Sequence, residues 1–428
     1  MSFFSGAWSE LAPDARRTFV ASFLGWSLDA FDFFLLTFVV VRIAADFQHG
    51  IADVAGAITL TLICRPVGAL IFGWLGDRFG RRTPLMVDIA FYSFIELLTA
   101  FSPNFTVFLV LRALYGVAMG GEWGLGAAMA METVPPQRRG LFSGILQEGY
   151  MVGYLLAGLA YFLVFHFAGS FGLERFNWRI LFIVGTLPAL AIFYIRAYVP
   201  ESPIWLAGRA ERLTPARTAL GPALRRYWLL ALYAIAFMAA LNFMSHGTQD
   251  LYATFLQKQH GFPPEIVFGL SVVAALGAIA GGIVVGGVSQ RYGRRACVLV
   301  CAILGAILVP LWAFQHGITL LALGAFGMQF MVQGAWGVIP AHLNELSPAG
   351  ARGTFPGFTY QLGNAISAGA AQIEAAFALR FHLPGGGVDY GKAMGIVSLV
   401  MFGAVVVLTA IGYLVAPERR HATLARSE

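Results

Sequence analysis

Charged side chains are scarce in this sequence. Asp, Glu, Lys and Arg together make up 12% of its 428 residues, whereas hydrophobic residues make up 58%. Ordinary soluble domains carry roughly a quarter charged residues, so this composition excludes an ordinary water-soluble surface. Apolar stretches of about 20 residues, each long enough to cross a ~30 Å hydrocarbon layer, follow one another from Thr18 almost to the C-terminus. The sequence therefore predicts an all-α integral membrane protein, because helices satisfy their own backbone hydrogen bonds in lipid.

Several chemical signatures are also missing. The three cysteines, Cys64, Cys297 and Cys301, are too few for a disulfide framework and are interpreted as small buried hydrophobic residues. The sequence has no Gly-x-x-x-x-Gly-Lys-Ser/Thr loop, which argues against an ATP-driven pump, and we expect no metal site, no cofactor and no enzyme activity. Residues 1–17 lack the features of a removable signal peptide, so the first span is expected to serve as the insertion signal.

The apolar stretches predict twelve membrane spans. Arginines cluster in the loops on one side of these spans, and the positive-inside rule assigns that side to the cytoplasm. We therefore interpret the net charge of +6 as a sign of orientation and not of nucleic-acid binding, with both termini cytoplasmic in a bacterial inner membrane. The predicted spans are 17–42, 51–76, 83–102, 106–133, 140–166, 178–199, 227–257, 265–288, 295–315, 318–345, 353–380 and 392–415.

An internal repeat runs through the chain at one constant shift in numbering, which we call the repeat offset. Residues 73–82 (GWLGDRFGRR) align with residues 286–295 (GGVSQRYGRR). The same repeat offset aligns two acidic and two basic positions further along, Glu132 with Glu345 and Arg139 with Arg352. The repeat predicts two pseudo-symmetric six-helix bundles joined by a cytoplasmic linker, with the substrate site between them near the middle of the bilayer. The predicted bundles are 1–199 and 227–428, and the predicted linker is 200–226.

The segment Gly73–Arg82 resembles the loop between the second and third helices of the major facilitator superfamily. The resemblance implies a transporter in which charged side chains at the cytoplasmic ends of the helices hold an inner gate shut in the outward-facing state. The alternative is that these charges only anchor the topology. The gating residues implied are Asp77, Arg78, Arg81, Arg82, Glu132, Arg139, Arg291, Arg294, Arg295, Glu345 and Arg352.

The seventh span carries the densest group of polar side chains. Asn242, His246, Gln249 and Asp250 step by four, three and one residues and form one stripe on an otherwise apolar helix. Ionisable side chains in a span are costly unless they are paired or face water, which makes them candidates for function. Asn242 and Gln249 offer neutral donors to a carboxylate, and a protonated His246 adds positive charge. Asp250 favours that protonated form, so His246 and Asp250 are also assigned to proton coupling. The alternative is a packing network in which Asp250 only satisfies His246.

The same stretch is similar to a signature of the fungal lactate and pyruvate proton permeases, which belong to the sialate:proton symporter family. Seven fixed positions agree, Asn242, Ser245, His246, Thr248, Gln249, Asp250 and Thr254. The resemblance implies uptake of a short monocarboxylate anion together with a proton, by a protein that we expect to act as a monomer. Two alternatives are uptake of sialic acid or another larger organic acid, and a membrane receptor that retains the fold without transporting.

Arg65 lies inside the second span and presents a guanidinium fork suited to a carboxylate. Its Arg-Pro-x-Gly setting resembles a membrane arginine of the same family. We interpret it either as the main substrate cation or as one half of a structural ion pair with an acid of the first or fourth helix. Asp29 and Asp32 share a face of the first span. Either of them is a candidate for the coupled proton, or one of them neutralises Arg65.

Further candidates lie on the fourth and eleventh spans. Arg112 resembles the fourth-helix arginine of proton-coupled superfamily members, and Glu122 has no acidic counterpart in the second half of the chain. Both are assigned to proton coupling. Tyr360, Gln361 and Asn364 are predicted to line the second half of the cavity, with hydrogen bonding between helices as the alternative.

Overall fold

The computed structural model describes residues 2–168, 176–211, 220–415 and 418, and it shows helices and no strands in those residues. The all-α prediction is therefore confirmed. The helices of the first half are α1 (Ser2–Ser9), α2 (Pro13–Phe47), α3 (Ile51–Phe79), α4 (Arg82–Ala100), α5 (Phe105–Met119), α6 (Glu122–Thr133), α7 (Arg139–Gln147), α8 (Gly149–Ala168), α9 (Asn177–Val184), α10 (Ala189–Tyr198) and α11 (Pro203–Glu211). Those of the second half are α12 (Leu220–Gln249), α13 (Tyr252–Lys258), α14 (Pro264–Tyr292), α15 (Arg294–Ala313), α16 (Ile318–Gly337), α17 (Ile339–Leu346), α18 (Phe355–Ser367), α19 (Ala370–Ala378) and α20 (Tyr390–Val415).

Ten helical runs of the described chain are long and apolar enough to cross a membrane. They correspond to ten of the twelve predicted spans. The other two predicted spans are α2, a single helix of 35 residues, and the pair α18 and α19. These two carry several of the polar candidates, including Asp29, Asp32, Gln361 and Asn364.

Several spans are divided near their middle into two helices. The fourth span is divided at Gly120 and Gly121, where α5 gives way to α6. The backbone of α3 runs so close here that a Cβ on Gly120 would lie 2.0 Å from the carbonyl oxygen of Arg65. In the tenth span α16 ends at Gly337, and Pro340, which has no backbone N–H, lies in the first turn of α17. Such divided spans surround the centre of the molecule.

The two halves meet backbone to backbone at one end, which we call the arginine-rich end because it holds residues 78–82, 138–139 and 291–295. A Cβ on Gly73 would lie 2.6 Å from the Cα of Thr354, and a Cβ on Gly140 would lie 2.5 Å from the carbonyl oxygen of Gly286. These two close contacts are related by the repeat offset. The arginine-rich end is therefore closed in this structure.

The predicted linker lies partly outside the described residues. Its first part forms α11, and residues 212–219 are not described. After them α12 begins at Leu220 and kinks at Tyr227, where φ is −115° and ψ is 21°. The C-terminal basic residues Arg419 and Arg420 also lie outside the described chain. The bundle boundaries at 199 and 227 stay predictions.

Candidate functional site

A central cavity of about 360 Å³ lies between the two halves. Its wall is built by α2, α3, α7 and α8 from the first half and by α12, α13, α14, α15, α16 and α18 from the second. The predicted site residues that line it are Asp29, Arg65, Asn242, His246, Gln249, Asp250, Tyr360 and Asn364. The fold thus brings side chains from distant parts of both halves of the sequence to one space.

Arg65 and Asp29 form a buried ion pair in the cavity wall. The Nη2 atom of Arg65 lies 2.9 Å from Oδ2 and 3.2 Å from Oδ1 of Asp29. The guanidinium also lies 5.6 Å from the centre of the Phe33 ring. Arg65 lines the cavity and is paired with an acid of the first span, and its role as the substrate cation stays a prediction. The pair as a whole is neutral.

The stripe on α12 supplies the second ion pair of the cavity. The Nδ1 atom of His246 lies 3.0 Å from Oδ2 of Asp250, and both side chains are about one quarter exposed. Gln249 donates from Nε2 to Oε1 of Gln329 on α16 at 2.8 Å. Asn242 donates from Nδ2 to the carbonyl oxygen of Met238 at 2.8 Å within its own helix. Asp250 thus pairs with His246 as the packing alternative expected, and the pair also lines the cavity, so the binding roles of His246, Asn242 and Gln249 stay predictions.

Aromatic rings close the cavity toward the arginine-rich end. Tyr360 is stacked on Trp123 with ring centres 4.2 Å apart, and its edge contacts Trp336 at 5.6 Å. Trp26 donates from Nε1 to the carbonyl oxygen of Gln147 at 3.2 Å. Sequence reasoning did not assign these tryptophans or Gln147 to the site. The signal was present for two of them, because Trp123 and Trp336 are equivalent positions of the repeat.

Three predicted proton-coupling residues lie inside the first half, behind the cavity wall. Asp32 and Glu122 are fully buried, and none of their carboxyl oxygens has a hydrogen-bond partner among the described residues. Arg112 forms an ion pair with Glu96 of α4 and donates from Nη2 to Oγ1 of Thr99 at 3.0 Å. None of the three lines the cavity. Their assignment to proton coupling stays a prediction.

Two acids of α4 were missed from the sequence. Glu96 pairs with Arg112, and Asp88 is fully buried. Both lie inside the predicted third span. The rule that an ionisable side chain within a span is a functional candidate applies to them as it does to Asp29.

Gln361 does not line the cavity, although it was predicted to bind substrate. Its side chain is fully buried, and neither amide atom has a hydrogen-bond partner among the described residues. It follows Tyr360 by one residue and is therefore turned about 100° away from it around the helix. Tyr360 and Asn364, four residues apart, share the face that meets the cavity.

The predicted gating residues form two matching clusters at the arginine-rich end. In the first half, Nη2 of Arg81 lies 3.2 Å from Oε1 of Glu132. At the equivalent positions of the second half, Nη2 of Arg294 lies 2.8 Å from Oε1 of Glu345. Arg81 also contacts Asp77 at 3.1 Å. All four members of the two equivalent pairs are buried.

Hydrogen bonds across the halves accompany these clusters. The carboxylate of Asp77 accepts from the backbone N–H groups of Gly353 and Thr354 at 2.7 and 3.0 Å. Ser143 donates from Oγ to the carbonyl oxygen of Gly337 at 2.7 Å and accepts from the N–H of Ala341 at 3.0 Å. These bonds hold the arginine-rich end together.

The remaining gating candidates lie among aromatic rings and backbone carbonyl groups of the arginine-rich end. The guanidinium groups of Arg78, Arg291 and Arg295 lie over aromatic rings at 5.3 to 5.6 Å. Arg82 donates to the carbonyl oxygen of Arg196. Arg139 donates from Nε to the carbonyl oxygen of Met131 at 3.0 Å. Arg352 is buried.

Comparison with known proteins agrees with this architecture. The sequence model of the Major Facilitator Superfamily matches residues 22–372. The carboxylic acid transporter protein homolog of Saccharomyces cerevisiae is 32% identical over 436 residues, which cover 95% of this chain and 69% of that protein. The sialic acid transporter NanX of Escherichia coli is 28% identical over 408 residues, which cover 94% and 95%. The solved structure of the proton:xylose symporter XylE is similar with a TM-score of 0.79 at 16% identity, covering 96% of this chain and 98% of that one, and this confirms the predicted twelve-helix, two-bundle fold.

Proposed function

The chain belongs to the major facilitator superfamily of membrane transporters, and on that premise we propose that it carries a small organic carboxylate anion together with a proton. We propose a short monocarboxylate of the lactate or pyruvate type as the cargo. The observation that carries this proposal is the pair of facing cation–carboxylate contacts, Arg65 with Asp29 and His246 with Asp250, in the wall of one cavity. The similarity to a carboxylic acid transporter homolog supports the choice of an acid.

The first of these contacts links substrate binding to proton binding. A guanidinium can offer a carboxylate two parallel donors, and in this structure the Nη2 atom of Arg65 is engaged by both carboxyl oxygens of Asp29. Protonation of Asp29 removes its negative charge, so that the guanidinium is free to bind the carboxylate of the substrate. Binding therefore favours a protonated Asp29, and the protein takes up one proton with one anion.

The transmembrane potential gives a reason for this coupling. Moving a monoanion inward against about 100 mV, negative inside, costs ~2.3 kcal/mol, and one added proton makes the cargo neutral. His246 contributes a second cation when it is protonated, and Asp250 stabilises that form. The two halves each supply one such contact, so that a rocking movement of the halves exposes both contacts to one side and then to the other.

We propose that the arginine-rich end is cytoplasmic, since arginines are concentrated there, and that the protein functions as a monomer in a bacterial inner membrane. On this proposal the structure represents an outward-facing state. The Asp77 hydrogen bonds and the Arg81–Glu132 and Arg294–Glu345 pairs then form the inner gate.

A larger organic acid is the second candidate for the cargo. The volume of the cavity, about 360 Å³, exceeds what a three-carbon acid fills, and one relative is named as a sialic acid transporter. A short acid in this space would leave bridging water between its carboxylate and the polar wall.

Transport by the purified protein in proteoliposomes tests the proposal. We expect radiolabelled lactate to accumulate when the outside is acidic and to remain at background when no gradient is imposed. Thermal stabilisation by lactate, pyruvate, acetate, propionate, glucose and sialic acid at two pH values identifies the cargo. Uptake that ignores the pH gradient would refute proton coupling, and stabilisation by glucose in place of the acids would refute the carboxylate assignment.

A further inference from the structure

One buried carboxyl group has no role in the transport steps described above. Glu148 lies between α7 and α8 with 4% of its surface exposed, and neither of its carboxyl oxygens has a hydrogen-bond partner among the described residues. Burial of a polar group without a partner is costly, and burial of an unpaired charge is far more costly. We therefore expect the carboxyl group to be neutral in this state.

Glu148 is positioned in the seam between the two halves. Its Oε1 atom lies 1.9 Å from the point where a Cβ on Gly282 of α14 would be. Gly144, one turn before Glu148, also lies against Gly282, because a Cβ on Gly144 would lie 2.2 Å from the carbonyl oxygen of Gly282. When the arginine-rich end opens, α14 must separate from α7, and water then reaches the carboxyl group.

No charged side chain of the described chain neutralises Glu148 in the closed seam. On α14 the charged residue nearest to Gly282 is Arg291, nine residues later, and on α7 the one nearest to Glu148 is Arg139, nine residues earlier. Nine residues span about 13 Å along a helix. The helix α16 carries no ionisable side chain. The titratable and charged groups on the elements packed around Glu148 include Asp29 and Asp32 of α2, Glu122 and Glu132 of α6, Arg139 of α7, Tyr150 of α8, Glu265, Arg291 and Tyr292 of α14, and His342 and Glu345 of α17.

A proton can reach Glu148 from the cavity. Gln147, its neighbour in sequence, lines the cavity, and so does Ala278, one turn before Gly282 on α14. The carboxyl group therefore lies just below the cavity wall. It is close to the solvent of the cavity while remaining buried in the seam.

The chain contains a neutral counterpart of Glu148 in the other seam. The repeat offset pairs Glu148 with Gln361, and it pairs Gly144 with Gly357. Gly357 is in close contact with the first half, since its Cβ would lie 3.0 Å from the Cα of Gly124. Gln361 is one turn further, buried, with no hydrogen-bond partner for its amide in the described chain. A neutral group of the size of Gln is therefore compatible with such a seam.

We propose that Glu148 is a proton-dependent positioning residue, around whose neutral form the arginine-rich end closes and whose ionisation favours the open end. This proposal rests on the proposed transport cycle. It assigns to Glu148 a proton that controls closure, separate from the proton that Asp29 carries with the substrate. The closed state of the arginine-rich end is then favoured at low pH, and its population falls as the pH rises.

Distances between spin labels across the arginine-rich end test the proposal without any substrate. Phe79 and Tyr292 are exposed, equivalent ends of α3 and α14, and they are replaced by cysteine after the three native cysteines are changed to alanine. In lipid nanodiscs between pH 5 and 9, we expect the ratio of closed to open molecules to fall with rising pH. Loss of one linked proton contributes up to about tenfold per pH unit.

Three variants separate protonation from packing. In Glu148→Gln we expect the ratio of closed to open molecules to change less with pH, by up to about tenfold per pH unit. Glu148→Asp should retain the dependence of the wild type because its side chain remains ionisable. Gln361→Glu adds a carboxyl group to the second seam and should steepen the dependence. An unchanged pH dependence in Glu148→Gln would overturn the proposal. If that variant does not fold, an unchanged dependence in Gln361→Glu overturns it instead.

The outcome is independent of the identity of the cargo. Proton-driven lactate uptake by the wild-type protein in proteoliposomes is measured in parallel. If lactate is not taken up but Glu148→Gln still changes the pH dependence of the distances, only the proposed cargo or coupling is refuted. Uptake with no effect of Glu148→Gln on the distances refutes only the assignment of Glu148.

Discussion

Replacement of Asp29 by Asn imitates the protonated state that the proposed exchange requires. The substitution leaves Arg65 buried at 4% exposure without its ion-pair partner. Removing one partner of a buried ion pair costs about 3–5 kcal/mol. We therefore expect Asp29→Asn to unfold at a lower temperature without substrate. The carboxylate of the substrate then supplies the missing charge, so the substrate should stabilise the variant more than it stabilises the wild type.

The same reasoning gives the expected change in binding. If the substrate recovers about half of the lost interaction, roughly 2 kcal/mol, its affinity at pH 7.5 rises about 30-fold over the wild type. Between pH 5.5 and pH 7.5 the affinity of the variant should also change less than that of the wild type, because no proton has to be taken up at position 29. Lactate exchange should continue, whereas accumulation driven by a pH gradient should be lost.

A matched control lies on the same helix. Asp46 of α2 pairs with Arg179 at 3.0 Å, but the two side chains are 38% and 23% exposed. A partly exposed pair contributes about 0–1 kcal/mol, so Asp46→Asn should leave the affinity and its pH dependence unchanged. Binding and thermal shift are measured for both variants at both pH values. A pH dependence in Asp29→Asn equal to that of the wild type would show that Arg65 is not released by protonation of Asp29.

Three further substitutions address other parts of the molecule. His246→Gln removes a charged donor from the cavity, and we expect lactate affinity at pH 5.5 to fall roughly 10- to 100-fold, since a hydrogen bond to a charged group contributes about 1.5–3 kcal/mol; unchanged affinity would remove His246 from the site. Gly140→Val places a side chain against the carbonyl oxygen of Gly286, 2.5 Å from the Cβ position, so a folded protein with a longer spin-label distance across the arginine-rich end and no net uptake is expected; an unchanged distance would contradict the close contact. Glu96→Ala leaves Arg112 buried without its partner and should destabilise the protein by about 3–5 kcal/mol in thermal unfolding, with a smaller effect for Glu96→Gln.

The sequence predicted the helical class and the repeat more completely than it predicted the site. Apolar spans and the repeat offset depend only on local composition and spacing, so they are visible without coordinates. The stripe of Asn242, His246 and Asp250 was also visible, because its members share one face of a single helix. That stripe faces the cavity in the structure.

Helix rotation explains the residues that the sequence misplaced. A polar side chain in a span faces away from lipid, but it has two such directions, toward the cavity or toward the interior of its own bundle. Arg112 and Glu122 face the bundle interior, where Arg112 meets Glu96. Composition does not distinguish these directions, because both environments favour paired polar groups. The packing of neighbouring helices decides between them.

The charge of the cavity connects its two halves to the stoichiometry of transport. With His246 protonated, both of the pairs that line the cavity are neutral, so an anion gains no net attraction until one protein carboxylate loses its charge. A substrate carboxylate that displaces Asp29 from Arg65 therefore requires one proton. A second carboxylate that displaces Asp250 from His246 requires another. On the proposed mechanism the number of protons equals the number of carboxylates that the substrate presents to these cations, and the cargo crosses without net charge whatever its size.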